Sequence, residues 1–330
     1  MNELAREWPK VSVVVPCKNM GAYVGDAIRS ALSQTRPPFE IIVVDDGSSD
    51  DTREVVRAFG PPVKLLPGPG RGSAISRNIA ILAASGEYIA FLDADDLWYP
   101  QHLELQIDRM RAEGRAFSFS DFHRTADPAR PGQGMHASYS YLSEGKVFTN
   151  LLRENFVPTS SAIVRKDLLA ETGLFKPQLR GGQDFDLWLR IARRGEFTWL
   201  RPCLVFLRHH EGNISSSSNY PYMNVRLWEE IRREHGDCDA ADRRYIRRRL
   251  ASEEYSTGRH AIREQKFSLA RGYFRRAVVH GHNWFSSVPW LLICCAPAPL
   301  VSLLLRAKRA VSSSTTEDAR TANAGLPPSP

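Results

Sequence analysis

Cysteine is scarce in this chain. Its 330 residues hold five (Cys17, Cys203, Cys238, Cys294 and Cys295), an odd number without metal-ligand spacing, which argues against a disulfide framework or a zinc site and fits a reducing compartment. The amino-terminal MNELAREWPK carries charges of both signs and no apolar run. No secretory signal is read there, and the active domain is expected to stay in the cytoplasm. No GxGxxG follows the first apolar run and no GxxxxGK[ST] occurs, which disfavours a nicotinamide dehydrogenase and an ATPase.

Apolar residues, at 42%, suffice for a large α/β domain with an appended helical part. Lys plus Arg number 44 against 37 Asp plus Glu, a formal net charge of +7 that favours an anionic partner. Much of the excess is local: residues 226–276 hold 14 Lys or Arg against 9 Asp or Glu. A solvated helical face accounts for this as well as a partner does. With few aromatics interleaved and no recognisable module, nucleic acid is not expected.

Short apolar runs alternate with amphipathic stretches over the first 125 residues, the pattern of a parallel sheet covered by helices. VSVVV (Val11 to Val15) predicts a first strand ending at Pro16, with Asn19 capping a helix to about Gln34. FEIIVVDD (Phe39 to Asp46) predicts a second strand, VKLL a third, and EYIAFLDADD (Glu87 to Asp96) a fourth. Between the last two, PGPGRGS forms a Gly-rich loop before a helix over 74–84 that Gly86 is expected to end. Ligands of open α/β sheets bind beyond the carboxyl ends of the strands, so the acids ending strands two and four should face one crevice. Residues 121–143 read as a long loop, 184–194 as a helix stopped by Gly195, and the chain after Ser218 as helices.

Four segments carry candidate chemistry. DADD (Asp93 to Asp96) sets three carboxylates within four positions, suited to a hard divalent cation shared with phosphate oxygens; alone it also reads as an acidic turn. DDGS (Asp45 to Ser48) offers a carboxylate that could accept from a base N–H, or a plain turn. GRGSAISRN brings backbone donors at a helix N-terminus, with Arg71 and Arg77, to suit a diphosphate. In GGQDFDLWLR, Asp184 is either a general base or an acid stabilised by the helix dipole. His209 and His210 follow the apolar run LVFL and rank below the acids.

Taken together and in order, these segments strongly resemble family 2 glycosyltransferases, inverting enzymes of the GT-A fold, over roughly residues 10–212. The resemblance implies a Rossmann-like mixed sheet flanked by helices, with Pro16, Asn19 and Asp46 around the nucleoside. Asp93 and Asp95 match the DxD motif, Asp95 as the more direct ligand of Mg²⁺ or Mn²⁺ and Asp93 toward ribose or metal water. Arg77 matches an ARN-like arginine, with Ser76 where alanine is frequent. Asp184 matches the base of an ED motif whose first acid is here Gln183. His210 matches a position where the family often has histidine and is a further metal candidate. The implied partners are a nucleotide-sugar donor, a UDP-sugar by preference, and a saccharide or glycolipid acceptor in cell-surface polysaccharide synthesis. A catalytically silent sugar-nucleotide scaffold and a nucleotidyltransferase remain the alternatives.

The expected organisation is a tail over 1–9, the catalytic domain over 10–212, a helical region over 213–310 and a disordered tail over 311–330. Trp284 to Arg306 is apolar over nearly a bilayer's thickness but interrupted by Pro289, Pro297 and Pro299. It reads as an interfacial helix pair whose flanking Arg and Lys would favour the anionic inner face of a membrane, against the alternative of an ordinary packing element.

Overall fold

The computed structural model describes residues 7–125, 134–208 and 219–294. The chain divides into two compact units, Met1–Met223 and Asn224–Pro330. In the first unit β1 (Val11–Cys17), α1 (Gly21–Leu32), β2 (Glu40–Asp45), α2 (Thr52–Arg57), β3 (Val63–Pro67), α3 (Ser73–Ala83) and β4 (Tyr88–Phe91) alternate. The four strands are parallel in the order β3-β2-β1-β4. All of β2 is buried, as is the apolar run of β1, because helices cover both faces of a parallel sheet.

The sheet continues through β5 (Leu97–Trp98), α4 (His102–Glu113), β6 (Phe117–Thr125), α5 (Phe148–Arg153), β7 (Ile163–Arg165), α6 (Lys166–Thr172), α7 (Gln183–Ala192) and β8 (Phe197–Arg208). β7 joins β4 antiparallel, β6 follows antiparallel to β7, β8 runs parallel to β6, and β5 closes the edge antiparallel to β8. The eight strands form the expected mixed sheet flanked by helices.

Several sequence expectations shift, each for a local reason. The first strand does not end at Pro16, which pairs with Val44. Val14 O accepts from Leu92 N, so even-numbered residues of β1 face β4, which has ended by then; the missing Pro16 N–H therefore breaks no ladder bond. The fourth strand stops at Phe91, and Asp96 N donating to Asp93 O at 3.1 Å turns DADD into a tight loop. Asn19 does not cap α1. It sits at φ 54°, Met20 is the N-cap, and the Asn19 side chain instead accepts from Ser49 N at 2.8 Å. Gly86 lacks the left-handed conformation of a helix terminator. A Cβ there would lie 2.6 Å from Ser12 N and 2.8 Å from Lys10 O, so glycine is needed for close approach of α3's exit to β1.

Large aromatics anchor α7 to the sheet. Trp188 of α7 is fully buried, edge-on to Phe91 (5.7 Å), Phe117 (5.0 Å) and Phe175 (6.2 Å), and Phe117 stacks on Phe197 at 3.9 Å. This cluster ties α7 to β4, β6 and β8.

In the second unit α8 (Tyr220–Glu234) enters, and α9 (Ala240–Arg263), α10 (Phe267–Val279) and α11 (Trp284–Ile293) follow. Ala261, Ile262, Ala270, Phe274 and Cys294 form a small core against which Trp290 packs. Among the described residues no helix is long and apolar enough to cross a membrane. Of the expected interfacial pair, only the first helix lies within the described residues; 295–306 lie outside them.

Candidate active site

The acids converge as the strand order requires. A cleft of about 690 Å³ opens at the carboxyl ends of β1, β2 and β4 and is lined by Pro16, Asp46, Arg77, Asp93, Asp95 and Asp184 among others. Asn19 is not among its lining residues, because its side chain fastens the β2–α2 loop. His209 and His210 lie outside the described residues.

Asp46 is almost wholly buried, and its carboxylate accepts from Arg71 N (3.1 Å) and Gly72 N (2.7 Å). Two donors at the start of α3, expected from the sequence to face a diphosphate, are thus engaged by Asp46. Arg71 itself does not line the cleft. Its carbonyl accepts from Arg180 Nη1 at 2.7 Å, and Arg180 does line it. Gln183, the departure from the paired acid, donates to Ser73 Oγ at 2.6 Å and so links α7 to α3.

Arg77 is the buried cation of the site. Its guanidinium reaches Asp93 Oδ1 at 2.5 Å and lies over the Phe175 ring at 5.3 Å. Burial raises the pKa of Asp184, while the Arg77 charge, the Phe185 N–H and the Thr159 hydroxyl (3.1 Å) pull it down; the net shift is upward. A carboxylate poised above the usual range is suited to accept a proton near neutrality.

The remaining acids separate by environment. Asp186 is fully buried and ion-paired with Lys176 (3.1 Å) and Arg190 (3.0 Å), while Arg190 also donates to Thr172 O and Leu174 O. It clamps the approach to α7 and is no part of the cleft. Asp96 is buried. Burial, then the charges of Asp95 and Asp93, push its pKa well up, and it accepts from Ser160 Oγ (2.5 Å) and Arg208 N (3.1 Å). Asp96 also lines the cleft, but its two oxygens fasten the loop to Ser160 and β8, so Asp93 and Asp95 are the hard-oxygen donors better placed for a cation. Cys17 also lines it, but burial and neighbouring carboxylates push its thiol up to about 12, so it stays protonated.

Among the described residues no three His, Cys, Asp or Glu side chains are grouped to hold a metal by themselves. The donor set, two carboxylates from one tight loop, fits a hard divalent cation that completes its shell with phosphate and water oxygens. Sequence reasoning missed Thr159, Ser160, Arg180 and Arg208. For the first two the signal was slight: a Pro-initiated run of three hydroxyl residues, PTSS, between apolar stretches.

A cleft over the carboxyl ends of such a sheet, edged by paired acids and a buried arginine, is an enzyme-type site suited to a phosphate-bearing ligand. The fold accords with solved enzymes: TarS 1-349 of S. aureus in complex with UDP-GlcNAc (TM-score 0.60, 18% identity, 81% of each chain) and the mannosyltransferase PcManGT of Pyrobaculum calidifontis in complex with GDP-Man and Mn²⁺ (TM-score 0.54, 18% identity, 92% of this chain and 81% of that one). Residues 12–173 match the family model described as glycosyl transferase family 2, and this part of the chain belongs to that family.

Among curated relatives, an uncharacterized glycosyltransferase of Rickettsia conorii is 34% identical over 188 residues, 56% of this chain and 30% of its own length. The putative teichuronic acid biosynthesis glycosyltransferase TuaG of Bacillus subtilis is 29% identical over 63% of this chain and 82% of its own. The Escherichia coli UDP-Glc:alpha-D-GlcNAc-diphosphoundecaprenol beta-1,3-glucosyltransferase WfgD is 29% identical over 67% of this chain and 85% of its own. The chain thus spans under a third of the Rickettsia relative and over four fifths of the other two.

Proposed function

We propose that this protein is an inverting glycosyltransferase moving a sugar from a nucleotide-sugar donor, a UDP-sugar by preference, to a hydroxyl of a saccharide or glycolipid acceptor in cell-surface polysaccharide synthesis. The carrying observation is the placement of Arg77 between Asp93 and Asp184. It touches the first at 2.5 Å, and its charge acts on the second. One cleft therefore brings the proposed base together with the arginine and the paired acids of the DADD loop.

Asp184 takes the proton of the acceptor hydroxyl. The freed oxygen attacks the anomeric carbon from the face opposite the nucleotide, the bond to the diphosphate oxygen breaks, and configuration inverts. Charge develops on the departing diphosphate, where Arg77 and, at the cleft's edge, Arg180 supply fixed positive charge. A Mg²⁺ or Mn²⁺ held by Asp95, with Asp93, would offset the charge of the two phosphates. Pro16 and Asp46 lie where the nucleoside would sit. His210 stays a candidate from the resemblance alone.

TuaG and WfgD support the polysaccharide setting by their names, and WfgD, named for a diphosphoundecaprenol acceptor, supports a lipid-linked one. An anionic membrane surface fits the second unit. No Asp or Glu occurs between Glu264 and Glu317, and α11 exposes Trp284, Phe285 and Leu292. Peripheral association at the cytoplasmic face follows from that reading.

The test is a thermal-shift series with UDP-, GDP-, dTDP- and CMP-sugars, with and without Mn²⁺, on wild type and Asp95→Ala. A metal-dependent shift for one nucleotide, lost in the variant, supports the reading. No shift with any nucleotide in folded protein refutes it.

A further inference from the structure

The 3-10 turn Thr159–Ser161, between α5 and β7, touches both sides of the cleft with consecutive hydroxyls. All three residues are buried. The Thr159 hydroxyl donates to Asp184 Oδ2 at 3.1 Å. The Ser160 hydroxyl accepts from Asp93 N at 3.0 Å and donates to Asp96 Oδ2 at 2.5 Å, so it spans the two ends of the DADD loop. The turn is also fastened from behind: Trp98 Nε1 donates to Ser160 O at 2.7 Å, Gln106 Nε2 to Ser161 O at 3.2 Å, and Phe91 N to Ala162 O at 3.2 Å. Ser161 turns its own hydroxyl back to Pro158 O at 2.9 Å, stabilising the turn alone.

A hydroxyl has one proton to donate, so each of these side chains is committed to a single carboxylate. Thr159 reaches the proposed base and no other acid of the cleft. Ser160 reaches the loop that presents Asp93 and Asp95 and does not reach Asp184.

We propose that Thr159 and Ser160 are positioning residues dividing the site between them, Thr159 holding the proton-accepting carboxylate in place and Ser160 holding the loop that receives the donor diphosphate and its cation. This rests on the glycosyl-transfer reading and assigns roles to two residues that reading does not use. Adjacent substitutions should therefore give different signatures. In Thr159→Val the turn stays intact while the Asp184 contact is lost. In Ser160→Ala the loop loses both anchors.

The experiment compares full-length wild type, Thr159→Val, Thr159→Ser and Ser160→Ala by steady-state transfer kinetics and by calorimetric binding of UDP with and without Mn²⁺. Thr159→Val should lower kcat about tenfold with donor KM and UDP affinity within about twofold of wild type, and Thr159→Ser should restore most of kcat. Ser160→Ala should weaken Mn²⁺-dependent UDP binding about fivefold or more and raise donor KM. Equal losses of kcat and of UDP affinity in both variants, tracking a common fall in melting temperature, would overturn the proposal. So would wild-type behaviour in both. The binding arm needs no turnover, so if wild type transfers no sugar, the glycosyl-transfer reading fails while the Ser160 effect on Mn²⁺–UDP binding is still measured.

Discussion

Arg77 Nη2 and Asp93 Oδ1 stand 2.5 Å apart, with the arginine almost fully buried and the aspartate side chain one-third exposed. The exposed flank of Asp93 faces the cleft, and the buried flank is charge-compensated. The pair therefore organises this wall of the cleft.

Removing the guanidinium uncovers both Asp93 and Asp184. Arg77→Ala should lower kcat/KM about 100-fold. Loss of the half-buried pair should also cost about 2 kcal/mol, less than the 3–5 kcal/mol typical when a fully buried pair is broken. Arg77→Lys should recover stability more than activity, since one ammonium cannot keep both the contact with Asp93 and the packing on Phe175. Urea denaturation and steady-state rates check the two halves separately.

The pH dependence follows from Asp184. Burial raises its pKa despite Arg77, so the acidic limb of kcat/KM should fall at a pH above the ordinary carboxylate range, rate rising as the base ionises. The stability sign is opposite. A carboxyl whose folded pKa exceeds its unfolded value makes folding less favourable as pH rises from the unfolded value through the folded one. Asp184→Asn should therefore abolish transfer while raising the melting temperature at pH 7 and leaving it nearly unchanged at pH 3.

Gly86 offers a test of the frame away from the chemistry. A methyl there meets Ser12 N, Ser12 Oγ and Lys10 O inside 3 Å, and two of those atoms are backbone. Gly86→Ala should destabilise the protein by about 3 kcal/mol, since the β1 edge cannot yield without disturbing the Ser12–Glu40 hydrogen bond of 2.7 Å. Chemical denaturation measures it.

The exposed face of α11 predicts that the protein co-floats with vesicles containing phosphatidylglycerol and much less with neutral ones. Phe285→Ser with Leu292→Ser should reduce that association several-fold without changing transfer to a soluble acceptor. Equal flotation of the double variant would refute the membrane reading.

Much of the site was legible because it lies at strand ends. EIIVV and YIAFL are apolar enough to be sheet interior, and whatever follows them must emerge at the carboxyl edge, which brings Asp46, Asp93 and Asp95 together from the sequence alone. Asp184 and Asp186 were harder. They lie two residues apart in the first turn of one helix, and only the docking of Trp188 among Phe91, Phe117 and Phe175 decides that the former faces the cleft and the latter the interior. Asp96 was grouped with its neighbours because its burial depends on β8, a strand more than a hundred residues away. Asn19 misled for a similar reason, as its partner, Ser49, sits on the next loop. Such long-range contacts leave no mark in local sequence pattern.

The most direct test of the account is donor binding and sugar transfer measured side by side on wild type and Asp184→Asn, with the anomeric configuration of the product read by NMR. The account predicts inversion by the wild type, and a variant that binds donor with about the same affinity but transfers at least 100-fold more slowly. A variant that transfers at the wild-type rate, or a wild type that retains configuration, would contradict it.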